Sequence, residues 1–215
     1  MPISKKNFNI AAGISFMLAL LLIILSFTVG KENLFLHLNF DGGIFGDFLF
    51  RYLTHFGDGL IWIPLFLFVV FIMKRKDVIL LLISSFILST LFTQLLKRFV
   101  FPGEPRPIKV IDDTNLIHIV EGVKIHSLNS LPSGHTATAF CVYLIFCLLI
   151  RKPWWLILGF ILAFVAGYSR IYLAQHFAID VAAGIVIALA SVLLSLVFQE
   201  YLWWRKGKTA TLSSG

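Results

Sequence analysis

Six stretches of this chain are too apolar to be surfaced by water, and no other feature restricts its folding as strongly. They run over 8–29, 60–73, 78–96, 136–150, 154–168 and 178–203. A helix needs about 20 predominantly apolar residues to cross a bilayer, so the second, fourth and fifth runs borrow neighbouring residues to complete their ends. In hydrocarbon each backbone N–H and C=O must be satisfied inside its own segment, which selects helix for runs of this kind. Composition agrees, with 59% hydrophobic and 13% charged residues, where a soluble domain carries about 25% charged. The sequence therefore predicts an all-α polytopic membrane protein, six transmembrane helices in one bundle. A single transmembrane domain is expected over 1–208, followed by a small polar tail, 209–215, expected to be disordered. The first run follows Lys5 and Lys6 as a signal peptide would. Its length and the lack of a following Ala-x-Ala site make it an uncleaved first span.

Charge placement gives the orientation. Lys5, Lys6, Lys74, Arg75, Lys76, Arg151, Lys152, Arg205, Lys206 and Lys208 fall on one side, opposed there by Asp77 and Glu200 alone. The other side is close to neutral, so the whole formal excess of +7 lies on one face. The positive-inside rule puts that face and both termini in the cytoplasm. Trp154, Trp155, Trp203 and Trp204 adjoin the basic segments, where interfacial anchors belong. The basic balance is thus a topology signal, and a nucleic-acid partner is not expected. Cys141 and Cys147, six residues apart in one apolar run, sit on different faces of a helix and read as small core residues.

Two outer segments have structure of their own. Phe45, Phe48, Leu49, Tyr52, Leu53 and Phe56 recur at helical spacing, with Asp47 and Arg51 as an i,i+4 pair on the polar face. An interfacial helix and a packed connector helix both fit that pattern. In 99–131, Ile117 to Val120 and Val123 to His126 flank Glu121-Gly122, which suggests an outer loop or small hairpin.

Three polar clusters interrupt the ends of the spans: 97–107, 131–136 and 169–180. The topology brings all three to the outer edge of one bundle. Pro132-Ser133-Gly134-His135 opens the fourth span. Ser133 is a natural N-cap, Gly134 lets a ligand approach the backbone, and the free first-turn N–H groups favour an anion. A plain capped helix start reads the same way. His176 and Asp180 share one helix face, so a carboxylate can fix the tautomer and leave the other ring nitrogen free to attack. A purely structural His–Asp pair is the alternative. Arg106 and Arg170 bring guanidinium forks suited to phosphate oxygens. Lys97 and Arg98 sit at a span end, where snorkelling to headgroups also explains them. Zinc on His135, His176 and Asp180 is disfavoured by the surrounding cations, and no cofactor is expected.

With these residues the chain resembles the type 2 phosphatidic acid phosphatase superfamily, whose motifs are Lys-x6-Arg-Pro, Pro-Ser-Gly-His and Ser-Arg-x5-His-x3-Asp. The second is Pro132-Ser133-Gly134-His135, and the third is complete at Ser169, Arg170, His176 and Asp180. The first departs from the pattern. Lys97 precedes Arg106 by nine positions where the motif asks for seven, and two extra residues in the Pro102-Gly103 bend account for the difference. The resemblance implies that His176 attacks phosphorus, Asp180 orients it, and His135 protonates the leaving alkoxide. It implies phosphate contacts from Lys97, Arg106, Ser133, Gly134 and Arg170, and a reaction without metal. The implied substrate is a lipid phosphate or diphosphate: lipid A, undecaprenyl pyrophosphate, phosphatidate or phosphatidylglycerophosphate. The implied setting is a bacterial inner membrane with the site on its periplasmic face. A lipid phosphotransferase and a non-enzymatic transporter or scaffold remain open alternatives.

Overall fold

The computed structural model describes residues 3–212 and is helical throughout its regular elements. In chain order these are α1 (Lys5–Thr28), α2 (Lys31–Leu38), α3 (Gly43–Leu53), α4 (Trp62–Leu67), α5 (Ile79–Leu95), α6 (Pro107–Val110), α7 (Gly134–Leu149), α8 (Trp154–Tyr172) and α9 (Ala178–Leu212). Four helical stretches are long and apolar enough to cross a membrane: Lys5–Thr28, Lys76–Val100, Trp154–Tyr172 and Ala178–Arg205. The pair Gly43–Gly57 and Gly59–Ile72, bent by 56°, passes the same test together, and Gly134–Leu149 is a shorter apolar helix.

The run expected over 60–73 is covered by the helical stretch Gly59–Ile72, and the bend lies just before it. Asp58 is extended and its carboxylate accepts from the Leu60 amide at 3.0 Å, which starts a fresh helical segment after the bend. Pro64 supplies no amide to the ladder, and the segment passes from α4 into a π-type turn over Phe68–Ile72. The amphipathic segment upstream is α3, whose Ile44, Phe45 and Phe48 are exposed.

α7 is the hub. Twelve of its sixteen residues are buried, and it packs against α1, α5, α8 and α9. Gly184 allows the α7–α9 approach, because a Cβ there would lie 2.6 Å from the Ser133 carbonyl oxygen. The outer flanks of the bundle remain apolar, with Met17 and Phe27 on α1, Ile157 on α8 and Val197 on α9 all exposed. A contiguous surface of that kind needs lipid to cover it.

One end of the bundle is tied by Lys5 to Glu200 at 2.7 Å and by the Asn7 side-chain amide to the Ile150 carbonyl at 3.1 Å. The polar clusters collect at the opposite end of α7. There the segment between α5 and α7 folds over the bundle as a loop. The suggested hairpin does not form, although the Glu121-Gly122 turn does, with Gly122 at φ +75°. Its flanks are claimed by the bundle instead of by each other. The Asn39 side-chain amide donates to the carbonyls of His118, Ile171 and Tyr172, and the His118 amide donates to Asn39 Oδ1. Asp47 and Arg51, expected to pair along α3, likewise reach outward. His118 Nε2 lies 2.7 Å from Asp47 Oδ1, and Arg51 Nη1 donates to the Glu121 carbonyl at 3.3 Å. At the C-terminus, α9 carries helical backbone to Leu212, and 213–215 lie outside the described residues.

Candidate active site

Ser133 starts α7 as expected from the sequence. Its Oγ accepts from the Thr136 amide at 3.4 Å and from Thr136 Oγ1 at 2.9 Å. Those two bonds spend the oxygen's acceptor capacity and leave its proton available to donate. The Ser133 amide donates to the Asp180 carbonyl at 2.9 Å, which joins the start of α7 to the start of α9. Gly134 and His135 occupy the first turn, whose amides have no partners within the helix itself.

α8 ends at Tyr172, and the chain turns back on itself over 173–177. Both the Gln175 and the His176 amides donate to the Arg170 carbonyl, at 2.9 and 3.1 Å. This tight return sets His176 beside Arg170 and leaves it 2% exposed. His176 Nδ1 lies 3.3 Å from Asp180 Oδ2. Burial first, then the charges of Arg106, Arg170, Lys97 and His135, hold the His176 imidazole well below the ordinary histidine range. The ring is therefore neutral near pH 7 and keeps a lone pair.

Arg106 comes in from the loop after α5 and is nearly buried. Nε donates to the Leu128 carbonyl at 2.9 Å, Nη1 to both Gln175 oxygens at 3.0 Å, and Nη2 to the Asn129 carbonyl at 3.4 Å. One of these oxygens belongs to the peptide that precedes His176, so the guanidinium is anchored against the backbone of the imidazole's own residue. Burial lowers Arg106 from its usual value, but a guanidinium stays charged at any working pH.

Lys97 Nζ donates at 2.8 Å to the same Asn129 carbonyl that Arg106 reaches. The nine-residue separation is absorbed by a π-type turn over Leu96–Val100 and a bend in which Gly103 takes φ +72°. Arg98 is exposed, so Lys97 is the cation that turns inward.

Arg170 Nη1 donates to Thr54 Oγ1 at 2.6 Å. Its Nε is buried and has no hydrogen-bond partner among the described residues. A charged donor left over in a buried position is costly unless an acceptor meets it. An anion with several oxygens suits that requirement.

The eight residues singled out from the sequence are thus gathered at one end of the bundle. Sequence reasoning missed Ser130, Gln175 and Thr54, which hold Asp180, Arg106 and Arg170 respectively. Gln175 adjoins His176 in the chain, and Ser130 lies two residues before Pro132. Thr54 carries no signal beyond being a small polar residue next to an aromatic helix.

His135 lines a cavity of about 210 Å³ together with Gly57, Thr93, Gln94 and Gly134. Through Gly59 and Thr90 this cavity shares its wall with an apolar groove of about 680 Å³ formed by Leu60, Trp62, Ile63, Phe66 and Phe86. A polar pocket therefore meets an apolar trough on the bundle's flank. Among the described residues, Asp41, Asp47 and His118 are the group whose ligating atoms come within 4.8 Å of one another. They lie on the outer segments, and His118 and Tyr172 already engage Asp47.

The family profile described as the PAP2 superfamily matches residues 78–204, which contain all three polar clusters. A lipid A 4'-phosphatase from Bacteroides thetaiotaomicron is 27% identical over 155 residues, covering 69% of this chain and 68% of that protein. An undecaprenyl-diphosphatase from Sulfolobus acidocaldarius is 27% identical over 177 residues, covering 78% and 82%. The crystal structure of Aquifex aeolicus LpxE superposes with a TM-score of 0.66 at 29% identity, over 77% of this chain and 94% of that one.

Proposed function

The chain belongs to the PAP2 superfamily and is a membrane lipid phosphatase; from that premise we propose that it hydrolyses a lipid A phosphate or a polyprenyl diphosphate through a phosphohistidine on His176. The observation that carries this reading is the environment of one neutral imidazole. Arg106 is anchored on the peptide that precedes His176, and Lys97 shares the Asn129 carbonyl with it. Arg170 accepts the His176 amide on its carbonyl and carries an unpartnered buried donor, and the carboxylate of Asp180 faces His176 Nδ1.

With Nδ1–H directed at Asp180, the Nε2 lone pair attacks phosphorus while the bond to the leaving alkoxide breaks. Asp180 balances the imidazolium charge that develops. Arg106, Arg170 and Lys97, with the Ser133 hydroxyl and the Gly134 amide, hold the equatorial oxygens of the transition state. Burial and then Arg170 hold the pKa of His135 down to about 3, so it takes up a proton only when the anionic phosphate enters beside it, and gives that proton to the alkoxide. It then takes one from water, whose oxygen attacks the phosphohistidine and releases inorganic phosphate. Each residue here serves charge placement and proton transfer, and no step calls on a metal.

The lipid class is supported by the apolar trough that shares a wall with the His135 cavity, which suits a tail that stays in hydrocarbon beside the residue that protonates the leaving group. The charge asymmetry of the sequence supports placing that pocket on the extracytoplasmic side of a bacterial inner membrane, with both termini cytoplasmic.

The test is phosphate release by the purified protein in detergent, across lipid A, undecaprenyl diphosphate, phosphatidate and phosphatidylglycerophosphate. Free phosphate from one of the first two, lost in His176→Ala, is the expected result. Transfer of the phosphoryl group to a second lipid, with no free phosphate, contradicts hydrolysis. Turnover by His176→Ala contradicts the nucleophile.

A further inference from the structure

We propose that Ser130 is a positioning residue for the reaction, setting the Asp180 carboxylate in the orientation that holds the His176 ring. The inference rests on the phosphatase reading above and adds a residue that the family motifs do not contain.

The geometry at Asp180 is crowded onto one oxygen. Oδ2 accepts a short hydrogen bond from Ser130 Oγ and a second from the Phe177 amide at 2.9 Å, and it also faces His176 Nδ1 at 3.3 Å. Ser130 and Asp180 are 0% and 2% exposed, so water does not substitute for the hydroxyl. A carboxylate on a single-bond rotor has two equivalent oxygens and a soft torsion. Two donors fix which oxygen turns toward the imidazole and at what angle. The Phe177 amide comes from the same helix start as Asp180, whereas Ser130 comes from the opposite wall.

That wall is the segment that also gathers the cations. The Ser127 carbonyl accepts from the Arg106 amide, the Leu128 carbonyl from Arg106 Nε, and the Asn129 carbonyl from both Lys97 Nζ and Arg106 Nη2. The Ser130 amide donates to the Glu104 carbonyl at 3.0 Å, locking the strip in place. Asn129, at φ +58°, reverses the chain there so that one residue's carbonyl meets the cations and the next residue's hydroxyl meets Asp180. Ser130 is thus the link that registers the phosphate-holding cations against the His–Asp pair. The outer loop does this work as a fixed wall.

The test compares Ser130→Ala, Ser130→Thr and wild type in phosphate release, on whichever lipid phosphate the wild type turns over. A hydrogen bond to a charged group corresponds to roughly a ten- to hundredfold change. Ser130→Ala is expected to lower kcat by that factor with KM within about twofold, and Ser130→Thr, which keeps the hydroxyl, to restore most of it. The acid limb of kcat/KM should also move toward neutral pH in Ser130→Ala. Oδ2, relieved of one proton donor, then holds the His176 proton more strongly against Arg106, Arg170, Lys97 and His135. If alanine prevents folding, Ser130→Cys keeps a side chain of similar shape with only a weak donor and should show the same loss. An unchanged kcat in Ser130→Ala, a threonine variant as impaired as alanine, or a loss confined to KM each overturns the proposal. A wild type that releases no phosphate from any lipid overturns the phosphatase reading instead.

Discussion

Replacing Arg106 with alanine should open the outer loop before it disturbs the bundle. The guanidinium makes three well-formed hydrogen bonds at 2.9–3.0 Å, to the Leu128 carbonyl and to both Gln175 oxygens, and a longer one to Asn129. Charge-assisted bonds of this kind contribute about 1.5–3 kcal/mol each, neutral ones about 1. Water at the rim recovers part of the loss once the side chain is gone, so about 3–4 kcal/mol is the expected net cost for the three. That lowers the closed-to-open ratio of the loop by roughly 10²–10³. Hydrogen exchange with mass spectrometry in detergent reads it directly. The Ser130 amide, bonded to the Glu104 carbonyl, should exchange faster by about that factor, while amides in the middle of α7 keep their protection. Unchanged exchange across 104–131 would refute the reasoning, because it would mean the loop is held without its central clamp.

Two further outcomes follow from the same geometry. The depressed value of His176 means that the neutral ring persists as pH falls through 6.5, so the acid limb of kcat/KM should lie well below 6.5; a limb at 6.5–7 contradicts the buried, cation-flanked setting. The unfolded chain takes up a proton below 6.5 that the folded ring refuses, so this residue also makes the fold less stable on the acid side of that value. Gly184→Ala places a methyl 2.6 Å from the Ser133 carbonyl oxygen and 2.9 Å from Thr136 Cβ. It should cost about 1–3 kcal/mol by overpacking, read as a lower unfolding temperature in detergent, and an unchanged temperature would show that α9 has slack against α7.

Most of the helical architecture was legible in the sequence because bilayer physics is a coarse filter. Long apolar runs bounded by basic turns leave few alternatives to helix. The motif residues were legible for a related reason: Arg106, Arg170, His176 and Asp180 are expensive at span ends unless they serve one another or a ligand. What stayed hidden depends on tertiary partners. Nothing local in 60–73 announces the bend at Asp58 just before it or the π-type turn at its end, since Pro64 alone is tolerated in many spans. The hairpin suggested by Glu121-Gly122 lost its first flank, at His118, to Asn39 and Asp47, residues 79 and 71 positions earlier in the chain. Asp47 and Arg51 fit an i,i+4 pair by spacing, yet each finds a better partner in the loop above it. Ser130, Gln175 and Thr54 are ordinary polar residues whose value appears only when the loop and the end of α8 are folded against each other.

The central claim is that His176 becomes covalently phosphorylated within a cradle of cations. Rapid quenching of the enzyme with a radiolabelled lipid phosphate, followed by peptide mapping, tests it most directly. The account predicts an acid-labile, alkali-stable label on His176, absent from His176→Ala and accumulating in His135→Ala if protonation of the leaving group is bypassed with a good leaving group. Steady turnover with no labelled protein at any quench time, or a label on another residue, would contradict it.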